Sequence, residues 1–83
     1  MSTPDWLARH GGELRAGPLD TSWFVYFDEE PQYALTPVPV AGKHSCCVTQ
    51  TINGKRLSSG SMYATQTEAM QGGLEELRKA LGW

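Results

Sequence analysis

The sequence lacks a surplus of charge of either sign and lacks any long apolar run. Nine acidic and seven basic residues give a formal charge of -2. That charge is far from the positive field of a typical nucleic-acid-binding domain and from the acidity of a DNA mimic. No run of apolar residues approaches the ~18 that a transmembrane helix requires. Together with the lack of a signal-peptide pattern, this predicts a cytoplasmic protein with no membrane partner.

Cysteine is also scarce. The chain has two cysteines, which are adjacent at Cys46 and Cys47. Neighbouring side chains of a strand point to opposite faces, so a disulfide between them would be strained and free thiols are expected. A structural zinc site needs four ligands with paired spacings. His44 lies near the two cysteines, but the other histidine, His10, lies far from them in the sequence. Burial in a sheet raises a thiol pKa, which disfavours thiol catalysis. The sequence therefore predicts no metal, no cofactor and no enzymatic activity.

What the chain does contain is the composition of a globular protein. Of its 83 residues, 40% are hydrophobic and 19% are charged, which is too apolar for a disordered segment. A chain of this length supports one hydrophobic core. We therefore expect a single domain over residues 1–83.

A short N-terminal helix is predicted over residues 4–10. Thr3 fits the N-cap, and Pro4 fits the first helical position, where its missing N–H costs nothing. A helix of two turns is unstable alone. Trp6 and Leu7 are therefore expected to dock on the rest of the domain.

A C-terminal amphipathic helix is predicted over residues 66–81. Thr65 and Glu68 fit a capping box at its start. Apolar residues then recur at helical spacing, namely Met70, Leu74, Leu77 and Leu81. The pair Gly72-Gly73 costs about 1 kcal/mol per residue in a helix, which predicts a close approach of this helix to the sheet, with an aromatic ring as one candidate contact.

Four strands are predicted, at about residues 22–28, 33–40, 44–52 and 55–60. Residues 13–19 fit either a short edge strand or a loop. Pro37 and Pro39 share parity and lack an N–H on the same side, so their strand is expected to lose its neighbour there. The predicted fold class is α+β, with an antiparallel three- to four-stranded β-sheet packed on a C-terminal amphipathic helix and a short N-terminal helix.

Two turns set the expected register of the strands. Asn53-Gly54 is typical of a two-residue type I′ hairpin, which would place Ile52 on the same face as Cys46 and Val48. A three-residue loop at 41–43 would add Val38 and Val40 to that face, which the C-terminal helix should cover.

The opposite face is then expected to carry the candidate interaction surface. Its predicted residues are Trp23, Val25, Phe27, Tyr33, Leu35, Thr49, Thr51 and Arg56. The aromatic members could each present about 150 to 250 Å², which is near or above what a monomer leaves exposed. Either the N-terminal helix, a second copy of the chain or another protein should cover them.

The segment 44–81 resembles small β-hairpin-plus-helix domains, including the three-stranded DNA-binding domain of tyrosine integrases, the integrase arm-type layout, and the plant AP2 type. The matching residues are 48–52, Asn53-Gly54-Lys55 and Thr65-Gln66-Thr67-Glu68-Ala69. The resemblance implies an exposed sheet face that reads DNA through several basic side chains. This chain offers only Arg56 on that face, with Lys43 and Lys55 near the turns, which disfavours nucleic acid as a partner.

The function predicted from these features is a small non-enzymatic protein-interaction module that binds another protein or a second copy of itself. A phage or mobile-element inhibitor of a host complex, of the anti-CRISPR kind, is one alternative, since such proteins are often short, mildly acidic and built from a sheet plus helices. A weak nucleic-acid-binding domain that uses the sheet face is the other.

Overall fold

The computed structural model describes residues 3–17, 22–58 and 60–83. The elements in chain order are α1 (Asp5–Ala8), β1 (Gly12–Ala16), β2 (Trp23–Phe27), β3 (Glu30–Val40), β4 (Lys43–Gln50) and α2 (Gln66–Leu81). The strands form one antiparallel sheet in the order β1-β2-β3-β4. The predicted α+β class, with an antiparallel sheet, a C-terminal helix and a short N-terminal helix, is therefore confirmed.

The first part of the stretch that fitted either strand or loop is a strand. β1 pairs along its whole length with β2, from Gly12 opposite Phe27 to Ala16 opposite Trp23. The later part of the stretch, at residues 18 and 19, lies outside the described residues.

The two prolines of β3 mark the point where β2 ends its pairing. The β2–β3 ladder runs only as far as Trp23 opposite Leu35. On its other side, β3 stays paired with β4 through Pro37, Pro39 and Val40. The expected loss of one neighbour at the prolines is confirmed, because a proline has no N–H to donate to a second ladder.

The turn between β3 and β4 contains two residues, not three. Val40 lies opposite Lys43, and the turn residues Ala41 and Gly42 have φ of 47° and 81°. Positive φ at both central positions defines a type I′ turn. The three-residue turn was wrong, and a shift of one residue reverses the faces of the paired strand. Val38 and Val40 therefore lie on the face opposite that of Cys46 and Val48.

The hairpin after β4 also differs from its prediction. Gln50 donates its N–H to Lys55 O at 2.9 Å, and Leu57 donates to Val48 O at 2.7 Å, so the strands are joined by four residues. Ile52 lies in that turn with 90% exposure, so its predicted place on the same face as Cys46 and Val48 was wrong.

A tertiary contact explains why β4 ends early. Thr51 donates its hydroxyl to Pro31 O at 2.6 Å and its N–H to Gln32 O at 3.0 Å. These bonds fix the chain against β3 before it reaches Asn53-Gly54. The described part of 55–60 contributes a single bridge, Arg56 opposite Thr49, and Tyr63 makes a second bridge with His44. Arg56 and Tyr63 thus both pair along the outer edge of β4.

The C-terminal helix begins and ends where its capping residues predict. Thr65 Oγ1 accepts the N–H of Glu68 at 3.1 Å, as the N-cap of a capping box does. Gly82 follows the helix with φ of 75°, in the left-handed region. The buried residues of α2 are Ala69, Met70, Gly73, Leu74 and Leu77.

The two adjacent glycines of α2 allow the helix to lie close to the sheet. A Cβ at Gly73 would overlap the side chain of Cys46, and one at Gly72 would overlap the ring of Tyr63. The predicted close approach, with an aromatic ring as one contact, is confirmed.

The N-terminal helix is shorter than predicted and is capped differently. Its N-cap is Pro4, with no side-chain cap, while Thr3 Oγ1 accepts the N–H of Leu14 at 3.1 Å. Thr3 therefore accepts a backbone hydrogen bond from the edge strand β1 and does not cap the helix. Leu7 has no exposed surface, so α1 does dock through its apolar side.

Candidate interaction surface

Both helices lie on one face of the sheet, which we call the helix face. The core on this side contains Leu7, Leu14, Val25, Leu35, Cys46, Val48, Ala69, Met70, Leu74 and Leu77. Leu35 lies opposite Val48, and both are fully buried. The sheet thus covers one side of the core, and the other side of the sheet carries no helix among the described residues.

The residues predicted to form the interaction surface fall into three places. Trp23, Val25, Phe27, Tyr33 and Leu35 lie together on the helix face, in which Val25 and Leu35 are fully buried and the aromatics are half-buried against the core. Thr49 and Arg56 lie on the opposite face, and Thr51 lies in the turn after β4. The eight residues therefore do not form one surface, because the two-residue turn brings β3 over to the helix side.

The face opposite the helices, here called the outer face, includes Val38 and Val40, which were predicted to lie under the C-terminal helix. Its strand residues include Glu13, Arg15, Phe24, Tyr26, Ala34, Thr36, Val38, Val40, Lys43, Ser45, Cys47 and Thr49. Residue type gives little signal for the two-residue turn that places them there, because Ala41 has φ of 47°, which alanine rarely adopts.

One row of paired residues crosses the whole outer face. In order, the row consists of Arg15, Phe24, Ala34, Thr49 and Arg56. Its two ends are arginines, and its middle is an aromatic ring, a methyl group and a threonine. This row is thus a mostly apolar strip between two cationic side chains.

The arginine at the β1 end is already neutralised by its own chain. Arg15 pairs with Glu13 at 2.9 Å and Glu29 at 3.1 Å, and its guanidinium lies 4.4 Å from the ring centroid of Tyr26. The hydrogen bond from Arg15 lowers the pKa of the Glu13 carboxyl, and both carboxylates raise the pKa of Arg15. This end of the row is therefore held in place and carries little free positive charge.

The arginine at the opposite end differs, since within the described residues Arg56 forms no ion pair. Its Nε donates to Ser58 Oγ at 3.2 Å, and its guanidinium lies beside Gly60. A cavity of about 280 Å³ adjoins it, lined by Val38, Val40, Ser45, Cys47, Arg56, Gly60 and Met62. Within the described residues, the outer-face cations without an ion pair are therefore Arg56, which lines this cavity, and Lys43, which lies opposite Val40 at the turn.

The two cysteines lie on opposite faces and are both free thiols, as predicted. Cys46 is buried under α2, and this burial raises the pKa of its thiol to about 12, with smaller contributions from the charges of Cys47 and Glu76. Cys47 is half-buried on the outer face. A thiolate nucleophile is therefore disfavoured at Cys46.

A cluster of aromatic rings closes the helix face at the end near α1. Trp83 stacks on His10 and contacts Trp6 and Phe27, with ring centroids 6.2 Å and 5.8 Å away. Trp83 therefore covers part of the surface of the half-buried rings of Phe27 and Trp6. The helix face is thus enclosed by α1, α2 and Trp83.

Among residues 3–17, 22–58 and 60–83, no three histidine, cysteine or carboxylate side chains lie close enough together to hold a metal ion. No helix within these ranges has both the length and the apolar character needed to cross a membrane. Comparisons with protein-family models, curated proteins and solved structures found no match to this chain.

Proposed function

We propose that this chain is a small non-enzymatic protein-interaction module that binds a protein partner through its outer face. The observation that supports this most directly is the one-sided packing of the sheet. Both helices lie on the helix face, whereas Phe24, Tyr26 and Val38 lie on the side that no described element covers.

The residue types on the outer face suit a protein interface. The centres of interfaces are enriched in aromatic residues and arginine and depleted in lysine and glutamate. Here Phe24 and Ala34 form the middle of the row, and Tyr26 adds a second ring under Arg15. The carboxylates of Glu13 and Glu29 lie at the rim, where charged pairs contribute little to affinity.

The charge of the outer face favours one chemistry of partner. Arg15 is paired twice, whereas Arg56 forms no ion pair within the described residues. A partner that buries apolar side chains on Phe24 and Val38 gains more if it also brings a carboxylate to Arg56. We therefore infer a protein partner with an apolar patch beside an acidic group.

A substitution pair tests the outer face. Val38→Asp places a charge on this face, and Ile52→Asp places the same charge in the turn after β4, where the side chain is already 90% exposed. Cross-linking mass spectrometry on complexes recovered with the tagged chain should map cross-links to the outer face. We expect Val38→Asp to weaken partner recovery about tenfold or more and Ile52→Asp to leave it unchanged. Equal recovery with both variants would contradict the proposal.

Light scattering on the purified chain distinguishes a second copy from another protein. A dimer that Val38→Asp dissociates would identify a second copy as the partner. A monomer at all concentrations, combined with recovery that depends on Val38, would identify another protein. A monomer with no recovery that depends on Val38 would oppose the proposal.

The alternative of nucleic-acid binding has less support on the outer face. Phosphate contacts supply much of the affinity of such proteins, and each requires an available cation. Arg15 is engaged with two carboxylates, which leaves Arg56 with Lys43 at the turn. Binding to DNA that weakens steeply with added salt would favour this alternative. The alternative of an anti-CRISPR-like inhibitor is tested by co-purification with a nuclease complex.

A further inference from the structure

We propose that the cavity beside Arg56 binds a small apolar carboxylate, such as the C-terminal residue of a partner protein or a free medium-chain fatty acid. This proposal rests on the proposed function in one respect, since it names the group that the partner would place on the outer face. It adds a binding site and a ligand chemistry to that surface.

Apolar side chains exposed to solvent are concentrated at this cavity. Four large hydrophobic residues in the described part of the chain are exposed, namely Val38, Ile52, Met62 and Trp83. Two of them, Val38 at 37% and Met62 at 49% exposure, line this one cavity. Covering them would remove apolar surface from water, which is favourable on binding.

The buried polar residue that lines the cavity, Ser45, already has its hydrogen bond. Ser45 is 6% exposed, and its hydroxyl donates to Ser61 O at 2.8 Å. Its hydrogen-bonding requirement is therefore met within the chain. The side chains of Val40 and Cys47 complete an apolar wall, so the interior favours hydrocarbon over a polar group.

The polar group at the rim of the cavity is a cation. Arg56 is oriented by its bond from Nε to Ser58, and it forms no ion pair with any described residue. A guanidinium binds carboxylates in a planar, two-point geometry. An apolar chain in the cavity with a carboxylate at Arg56 would satisfy both parts of the site.

The volume limits the size of the ligand. A cavity of about 280 Å³, at about 30 Å³ per water-sized group, holds roughly nine non-hydrogen atoms. Heptanoate has nine non-hydrogen atoms, and so does a whole C-terminal leucine residue with its free carboxylate. The expected dissociation constant for heptanoate is about 1 mM, because so few atoms contribute.

The test is a titration of the ¹⁵N-labelled chain with heptanoate, followed by amide chemical shifts. We expect shifts at Val38, Cys47 and Met62, and affinity about tenfold weaker or more with Arg56→Gln. Arg15→Gln, which changes the arginine at the other end of the row, should leave the affinity unchanged. Shifts that do not cluster at the cavity, or no shifts at several millimolar, would overturn the proposal.

Heptanol and heptylamine separate the contribution of the carboxylate from that of the hydrocarbon. We expect both to bind at least about tenfold more weakly than heptanoate. Equal affinity for heptanol and heptanoate would show that Arg56 has no role and would also overturn the proposal. This comparison needs no substitution, so it stands even if Arg56→Gln fails to fold.

Titrations with peptides distinguish the two sources of the carboxylate. A short peptide ending in leucine with a free carboxylate is compared with its amidated form. Binding by the free form at the same amides indicates a protein C-terminus, and binding by heptanoate alone indicates a free fatty acid. If neither binds while Val38→Asp still abolishes partner recovery, this inference fails and the proposed function stands.

Discussion

The imidazole ring of His10 lies flat on the indole of Trp83, with ring centroids 3.8 Å apart and planes 3° from parallel. His10 follows α1, and Trp83 follows α2. The stack therefore joins the two helices across the end of the sheet, and it holds Trp6 and Phe27 against the same indole.

Trp83→Ala should loosen α1. The substitution removes the stack with His10 and the contact with Phe27, which together are expected to contribute about 1 to 2 kcal/mol. We expect amide hydrogen exchange to rise at residues 5–10 and to change less in β4. Trp83→Phe, which keeps a ring, should have a smaller effect. Unchanged exchange in α1 for both variants would show that the stack does not stabilise it.

Leu35→Ala and Val38→Ala test the register of β3. Leu35 is fully buried on the helix face, whereas Val38 is 37% exposed on the outer face. We expect Leu35→Ala to lower the free energy of unfolding by about 2 to 4 kcal/mol and Val38→Ala to lower it by about 0.5 kcal/mol. Urea denaturation followed by circular dichroism measures both. The opposite order would support a three-residue turn at 41–43.

Gly73→Ala should destabilise the chain although alanine favours helices. Alanine gains about 1 kcal/mol of helix propensity over glycine. Its Cβ at position 73 would overlap Cys46, and such overpacking costs about 1 to 3 kcal/mol or more. Gln71→Ala, at an exposed position of α2, is the matched control and should be neutral or slightly stabilising. A thermal melt compares the two variants.

Iodoacetamide should modify Cys47 before Cys46. Cys47 is half-buried on the outer face, whereas Cys46 is buried, and its thiol has a pKa raised to about 12. Mass spectrometry of the native chain at neutral pH should therefore find one alkylated cysteine, and the denatured chain should give two. Equal rates at both cysteines in the native chain would contradict the burial of Cys46 under α2.

The raised pKa of the Cys46 thiol predicts that the free energy of unfolding falls in alkali. The unfolded chain ionises Cys46 near the ordinary value of 9.0, whereas the folded chain holds the proton until the pH reaches about 12. The unfolded state thus binds fewer protons between these values, so the free energy of unfolding falls as the pH rises through that window. Cys46→Ala should show a shallower fall above pH 9 than the natural chain does.

The features that sequence reasoning predicted well are those set by local chemistry. Thr65 caps α2 because its hydroxyl reaches an N–H within one turn. Pro37 and Pro39 lack a donor in any context, and Gly72-Gly73 in a helix requires a reason that the contacts with Tyr63 and Cys46 supply. Each of these signals is contained within a few residues.

The features that were missed depend on contacts between distant segments. Ala41 has φ of 47°, a conformation that alanine rarely adopts, so the turn at 41–42 is not apparent from residue type. The pairing of Val25 with Tyr33 but of Tyr26 with Pro31 leaves an irregularity at Gln32. Thr51 ends β4 through Pro31, which lies on another strand.

The candidate site followed from those errors in register. A three-residue turn would place Val38 and Val40 on the helix-covered face, whereas the two-residue turn places both on the outer face. The sequence has more aromatics than one helix covers, but Trp23, Phe27 and Tyr33 pack against the helix-face core, and Trp83 also covers Phe27. The surface that remains uncovered by a helix is the other one.

The turn at Ala41-Gly42 also makes an unusual prediction about sequence change. Exposed turns normally tolerate insertions and deletions better than any other part of a domain. If one residue were inserted here and the turn still closed with two residues, the register between β3 and β4 would shift by one. Leu35 would then face solvent, and Val38 would face α2. Homologous chains should therefore hardly vary in the length of this turn, and residues that accept positive φ, such as Gly, Asn and Asp, should be common in it.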